Sequence, residues 1–333
     1  MFATKTLIRI VINTAIGIIL VLIWLQFVNL KEILVTLSNV EIIKLMPVFF
    51  FMLLSPAIRA LRLKIFLLPV RNIPILNLVF LNGMGTLFNL LIPIRGGEIA
   101  KGIYLNTTYN LPMSKSLVWI FLDRFIDFLA VLILATILFF VIPTTLPLNF
   151  IIIIIFITII MIILIYLMVY KSVFAKKLLS FLTNLLIVNS IKIYFERIYN
   201  FFIESFVILK RSPKDITLMF VLTVLAYAAD GAIWYYTFLA LGVSQDYLKM
   251  YLGQILSALT YLVPAAPGYV GSAEASGLLI FSGVFGISPD LASSMTVLFH
   301  ICIALFVLVF GIASVYFLKI DMGMVIKRIL NRG

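Results

Sequence analysis

The sequence predicts an all-α integral membrane protein: six spanning helices plus two re-entrant helical hairpins, arranged as an inverted repeat. Three observations predict it. The 333 residues are 64% hydrophobic and 11% charged, with a mean hydropathy of +1.23, where soluble domains carry about 25% charged residues. Apolar stretches recur at the ~20-residue length that crosses a bilayer as helix. Two Pro/Gly-rich breaks, 93–101 and 264–274, each interrupt an apolar run, one in each half of the chain.

In chain order, Leu7 to Val28 follows Lys5 and Arg9. It is too long for a signal-peptide core and no small-residue cleavage site follows, so it reads as a retained helix. The second span, 45–68, ends among Arg59, Arg62, Lys64 and Arg71, a cluster that the positive-inside rule places in the cytoplasm. Segment 73–112 is the first hairpin, 115–142 the third span, and 148–170, nearly all isoleucine and leucine, the fourth. Segment 171–214 mixes apolar residues with Lys171, Lys176, Lys177, Lys192, Arg197, Lys210, Arg211 and Lys214. That mixture suits an amphipathic segment on the cytoplasmic face. The fifth span is 215–240, the second hairpin 247–288 and the sixth span 290–318, before a tail with Lys319, Lys327, Arg328 and Arg332.

Charge parity selects the hairpins. If 73–92 crossed as an ordinary helix, the basic 171–214 loop would fall outside. If 73–112 and 247–288 each return to the side they entered, every basic cluster and both termini fall in the cytoplasm. Aligned on their prolines, "FLNGMGTLFNLLIP" (80–93) lies over "YLGQILSALTYLVP" (251–264), and glycines and then a carboxylate follow in each. The chain is thus one polytopic domain over 1–333, with repeats 1–142 and 148–320 of opposite orientation. Inverted repeats whose broken helices meet near the midplane are a transporter architecture.

Ionisable residues in hydrocarbon cost roughly 2.5–3.5 kcal/mol each at the helix centre and are usually paired and functional. Asp123, Arg124 and Asp127 lie in the third span, roughly 12–18 Å deep at ~1.5 Å per residue. Asp123 and Asp127 share a face, and Arg124 reaches Asp127 at i,i+3. The trio suits a structural ion pair and a functional one equally. Asp230 reads as a lone buried acid that suits helix-to-helix hydrogen bonding.

In the first break, a half-helix starting at Gly96 or Gly97 would aim free N–H groups and its positive dipole end inward. Arg95 offers a bidentate donor to phosphate, and Glu98 and Lys101 share a face. Pro264, Pro267, Gly268, Gly271 and Glu274 give the second break the same backbone chemistry without the cations. These ten residues are the candidate substrate contacts. Asp123, Arg124, Asp127, Asp230 and His300 form a candidate central polar network. The plainer reading makes Pro and Gly turn-formers and Glu98–Lys101 a local ion pair.

The single Cys302 rules out an internal disulfide, and one histidine argues against a metal centre; neither cofactor nor metal is expected. The net charge of +12 resides between apolar spans. The expected partner is therefore an anionic membrane surface and not nucleic acid.

The stretches P-x-R-x-G-E-x-x-K (93–101), L-D-R-x-x-D (122–127), P-x-x-P-G-x-x-G-x-x-E (264–274) and "RALRLKIFL" (59–67) resemble the flippase-like family that includes the transmembrane region of lysylphosphatidylglycerol synthases. The resemblance runs over nearly the whole chain. It implies lipid translocation without aminoacylation, which in that family belongs to a separate soluble domain. It also implies a plasma-membrane location. Where the family's last span usually carries arginine, this chain has His300. A largely neutral group then stands where a fixed charge is usual. The expected cargo is a phospholipid, an aminoacyl-phospholipid or a polyisoprenyl-phosphate-linked glycolipid, with an anionic or zwitterionic headgroup. A non-enzymatic transporter is the leading expectation. An integral-membrane lipid transferase and a non-catalytic partner of a lipid synthase are the alternatives, and the chain could also pair with itself.

Overall fold

The computed structural model describes residues 14–15, 18–92, 96–170, 213–260, 266–323 and 325. Among these residues every regular element is helical. Residues 18–24 are helical and lead to α1 (Leu30–Ser38), a 3₁₀ turn (Ile42–Leu45), α2 (Met46–Leu67), α3 (Ile75–Leu91), α4 (Gly96–Tyr109), α5 (Met113–Phe139) and α6 (Leu148–Tyr170). There follow α7 (Pro213–Ala240), α8 (Tyr247–Thr260), a 3₁₀ turn (Pro267–Tyr269), α9 (Ser272–Leu278) running into a π-helical turn (Leu279–Val284), and α10 (Pro289–Phe317).

Proline sets several of these starts. Pro74 and Pro112 directly precede α3 and α5, and Pro47, Pro213 and Pro289 lie in the first turns of α2, α7 and α10. The first-turn N–H groups have no intrahelical acceptor, so proline costs nothing there. Pro56 is different, because it stands inside α2 and deletes one backbone bond. Asn82 of α3 donates to the Pro56 carbonyl at 3.1 Å, which ties the two helices together at that irregular turn.

Among the described residues, three helical stretches are long and apolar enough to cross a membrane: Ile42–Leu67, Lys214–Ala240 and Pro289–Phe317. With Leu148–Tyr170, whose Ile152, Phe156, Ile159 and Ile163 are exposed, they make the chain an all-helical membrane protein. Large apolar side chains facing outward are what a lipid solvent demands. Five of the expected spans coincide with helices to within a few residues. The first is described only in part, from residue 14. The basic segment 171–214 lies outside the described residues up to 212, as do Lys327, Arg328 and Arg332.

Helices α2 and α7 pack along one another at the centre. Part of the remaining packing comes in matched sets: α2 on α3 and α7 on α8; α3 on α10 and α8 on α5; α4 on α5 and α9 on α10. Where α3 meets α10, a Cβ on Gly83 would collide with Phe310, and one on Gly311 with Leu87. The two glycines let the helices approach by removing side chains from both surfaces. The start of α10 is held by the N-terminal segment: Trp24 Nε1 donates to Ser293 Oγ at 2.9 Å, and the Asn29 N–H to Asp290 at 2.7 Å.

Candidate functional site: charged residues inside the bundle

Helix α5 carries Asp123, Arg124 and Asp127, and α2 carries Arg59 and Arg62 one turn apart. On α7, Thr223, Tyr227 and Asp230 fall at i, i+4 and i+7, hence on one face. These three faces meet. Arg62 donates from Nε to Asp123 at 2.7 Å, from Nη1 to Thr223 Oγ1 at 2.6 Å, and from Nη1 to Asp127. Its side chain is 1% exposed. Arg59 pairs with Asp230 at 2.7 Å, bonds Ser55, and lies 5.4 Å from the centroid of the Tyr227 ring. Asp230 is therefore not a lone acid, and Arg59 and Arg62 are not a surface cluster. Both arginines belong to ion pairs that join α2 to α5 and α7.

Arg124 extends the network toward the first hairpin. It reaches Asp123 at 3.1 Å, Asp127 at 3.4 Å and Glu98 of α4 at 3.6 Å. Glu98 also faces Lys101 at 3.8 Å. Among the described residues, Arg59, Arg62, Lys101 and Arg124 thus stand against Glu98, Asp123, Asp127 and Asp230, four cations to four anions. Balance is what lets so many ions sit in apolar surroundings, because an unpaired buried charge costs far more than a paired one.

The glycines of the first break pack the hairpin. The Gly97 N–H donates to Asn89 Oδ1 at 2.9 Å, so it is not the free donor the sequence suggested. A Cβ on Gly97 would run into the carbonyl oxygen of Gly85, and a Cβ on Gly85 into the stem of Lys101. Gly96 and Gly97 are both buried. Arg95 lies outside the described residues.

In the second break, Pro264 lies outside the described residues, and Pro267 opens the 3₁₀ turn. Gly268 (φ 70°) and Gly271 (φ 82°) adopt the left-handed backbone that favours glycine. Glu274 in the first turn of α9 accepts the Gly271 N–H at 2.7 Å. Its other carboxylate oxygen meets His300 Nδ1 at 2.6 Å, and His300 Nε2 meets the Gly268 carbonyl at 2.7 Å. The 3₁₀ turn packs against α3, so the second break touches the first hairpin.

The two breaks correspond at two positions counted along their helices. Glu98 is the third residue of α4 and Glu274 the third of α9; Arg124 is the twelfth residue of α5 and His300 the twelfth of α10. Each return helix thus places a carboxylate against a basic side chain on the long helix that follows. The sequence had brought Glu98 and Lys101 together, and Arg124 and Asp127, but not Glu98 with Arg124 nor Glu274 with His300. It missed Thr223 and Tyr227 as partners, although their spacing with Asp230 was the available signal.

No curated protein matches the chain. Over residues 10–311 it matches the lysylphosphatidylglycerol synthase TM region, and it belongs to that family.

Proposed function

We propose that this protein moves a lipid between the two leaflets of a membrane. The headgroup passes between the two broken hairpins while the acyl chains stay in the bilayer. The observation that carries this reading is the matched pair of carboxylate–base contacts, Glu98–Arg124 and Glu274–His300, each at a helix break inside an apolar bundle. The family's name, which joins a membrane region to a phospholipid synthase, supports the same class of cargo. The matched packing sets support an inverted repeat of two spans, a hairpin and a span in each half. On this reading the chain makes six crossings, its termini are cytoplasmic and it resides in the plasma membrane.

Arg124 is the cation a headgroup would meet. Its side chain is 38% exposed, whereas Arg62 is 1% exposed and closed off by three partners. A phosphate contact of about 1.5–3 kcal/mol corresponds to roughly ten- to a hundred-fold in affinity. Arg95, in the break itself, is positioned by sequence to add a second donor.

The test is reconstitution into vesicles holding a headgroup- or chain-labelled fluorescent phospholipid, with a membrane-impermeant quencher outside. Protein-dependent loss of the inner-leaflet fluorescence supports translocation. Newly modified lipid species by mass analysis, without movement between leaflets, would support a transferase instead. Neither result, with activity appearing only beside an added lipid synthase, would support a partner role.

A further inference from the structure

We infer that His300 and Glu274 together bind one proton, and that loss of this proton loosens the second hairpin on α10. The inference starts from hydrogen-bond inventory. Both ring nitrogens of His300 face acceptors, Nδ1 the Glu274 carboxylate at 2.6 Å and Nε2 the Gly268 carbonyl at 2.7 Å. A neutral imidazole has one N–H and one lone pair. In either tautomer the lone pair would point at an oxygen at hydrogen-bond distance. The other Glu274 oxygen accepts the Gly271 N–H at 2.7 Å, a donor that favours the ionised carboxylate over the acid. The arrangement therefore holds its extra proton on the ring, as imidazolium against carboxylate.

Removing that proton breaks one of the two contacts. Either the ring leaves the Gly268 carbonyl or it leaves Glu274, which itself ties down Gly271. Both lie in the break, where Gly268 and Gly271 have left-handed backbones. Here α10 is bonded to the second hairpin through a titratable side chain. At the same position in α5 the first hairpin meets Arg124, which does not titrate. The chain thus has one fixed and one proton-dependent latch at equivalent places.

Other charges do not substitute for the proton. Of the elements packed against α10 and α9, α3 and the π turn carry no ionisable side chain, and α9 carries Glu274 alone. On α2 and α7, Arg59 and Asp230 neutralise each other, and Arg62 is taken by Asp123 and Asp127. Lys64 lies in the last turn of α2, and Lys214 and Asp215 in the first of α7. Lys31 and Glu32 of α1 belong to the Asn29–Asp290 end of α10, about 15 Å from His300 along that helix. Lys249 stands in the first turn of α8, and Cys302 and Tyr316 of α10 with the phenols of Tyr227, Tyr235, Tyr236, Tyr247, Tyr251 and Tyr269 complete the set among the described residues. On the translocase reading, which this inference rests on, lipid movement depends on protons and slows at low pH, where the latched state accumulates.

The chain has one histidine, so ring ¹⁵N NMR of histidine-labelled protein in nanodiscs reports this site alone. Both nitrogens should show the protonated signature and convert together, in one step, as pH rises. Amide exchange over residues 266–271 should increase at that same step, and Glu274→Gln should lose the proton at lower pH than the wild type. A neutral tautomer at every pH down to the acid limit of folding, or conversion with no change in exchange, overturns the proposal. In vesicles, translocation should change by about tenfold per pH unit on the acid limb, and His300→Arg should remove that limb. A flat wild-type profile beside a titrating ring overturns the coupling and leaves the translocase reading intact. No lipid movement at any pH overturns the translocase reading, and the ring and exchange data then decide the proton site by themselves.

Discussion

Arg62→Ala is the perturbation that best separates a structural network from a set of incidental contacts. Arg62 is 1% exposed and its partners Asp123 and Asp127 are 7% and 9% exposed. Truncation removes the donor of three bonds and leaves two buried carboxylates with Arg124 as their remaining close cation. Among the described residues the network passes from four cations and four anions to three and four. Breaking one partner out of a buried pair costs about 3–5 kcal/mol. Adding Asp127→Asn restores neutrality, so the double variant should recover about 2 kcal/mol relative to the sum of the single losses.

The assay is reversible unfolding in mixed detergent micelles, followed by helical circular dichroism, on the two single variants and the double. Lys44→Ala is the control. Lys44–Glu41 is also a short ion pair, 2.9 Å, but its side chains are 46% and 62% exposed. Exposure alone should hold that loss to about 0–1 kcal/mol. Should Arg62→Ala cost no more than Lys44→Ala, or should the Arg62 and Asp127 losses add to within about 0.5 kcal/mol, the charge-balance argument is wrong.

Three further outcomes follow from the geometry. Gly97→Val drives a side chain into the Gly85 carbonyl and should abolish the α3–α4 hairpin, read as loss of folded protein in size-exclusion chromatography; normal folding would mean the hairpin does not pack this way. Asp230→Asn leaves Arg59 with Ser55 and the Tyr227 ring, both still in contact; because that pair is 19% and 18% exposed, its loss in the same detergent assay should be smaller than that of Arg62→Ala. On a Cys302→Ala background, single cysteines at Val243 and Lys319 should label from opposite sides of the membrane, and labelling from one side would remove the six-crossing topology.

The helices were legible because their signals are local. Apolar length marks the spans, and the prolines before or within first turns mark the starts. The ionic partners were not legible, because pairing is a long-range event. Asp230 bonds a residue 171 positions away and so reads as alone in a linear scan. Arg62 was grouped with the cations that follow the second span, yet it lies five residues inside the end of α2, as Leu67 is the last residue of that helix. A rule that counts positive charge near the ends of apolar runs cannot tell a cation facing headgroups from one facing a carboxylate. The helical spacing of Thr223, Tyr227 and Asp230 was the available clue, since it marks a polar face in a helix that otherwise has none. At the first break the sequence makes Gly97 a free N–H donor; the structure gives that N–H to Asn89 and shows a glycine required by the neighbouring backbone.

Contact lengths and exposure suggest where motion belongs on the translocase reading. At the centre, Arg62 bonds at 2.6–2.7 Å to residues of α5 and α7, with a side chain 1% exposed. Outward, the contacts lengthen: Arg124, 38% exposed, reaches Glu98 at 3.6 Å, and Lys101, 8% exposed, reaches it at 3.8 Å. At these lengths neither contact is a hydrogen bond, so each holds a position less firmly than the short bonds of Arg62. The α2–α5–α7 centre then serves as the fixed frame, and the hairpins are the parts that can part from it. The latches differ in kind. Glu98–Arg124 can yield to a competing phosphate, which offers the arginine an equally charged partner. Glu274–His300 is short, 2.6 Å, and yields only when its proton leaves. On the same reading, a cycle with one latch opened by cargo and the other by proton loss would alternate access while leaving the tightly packed central ions undisturbed.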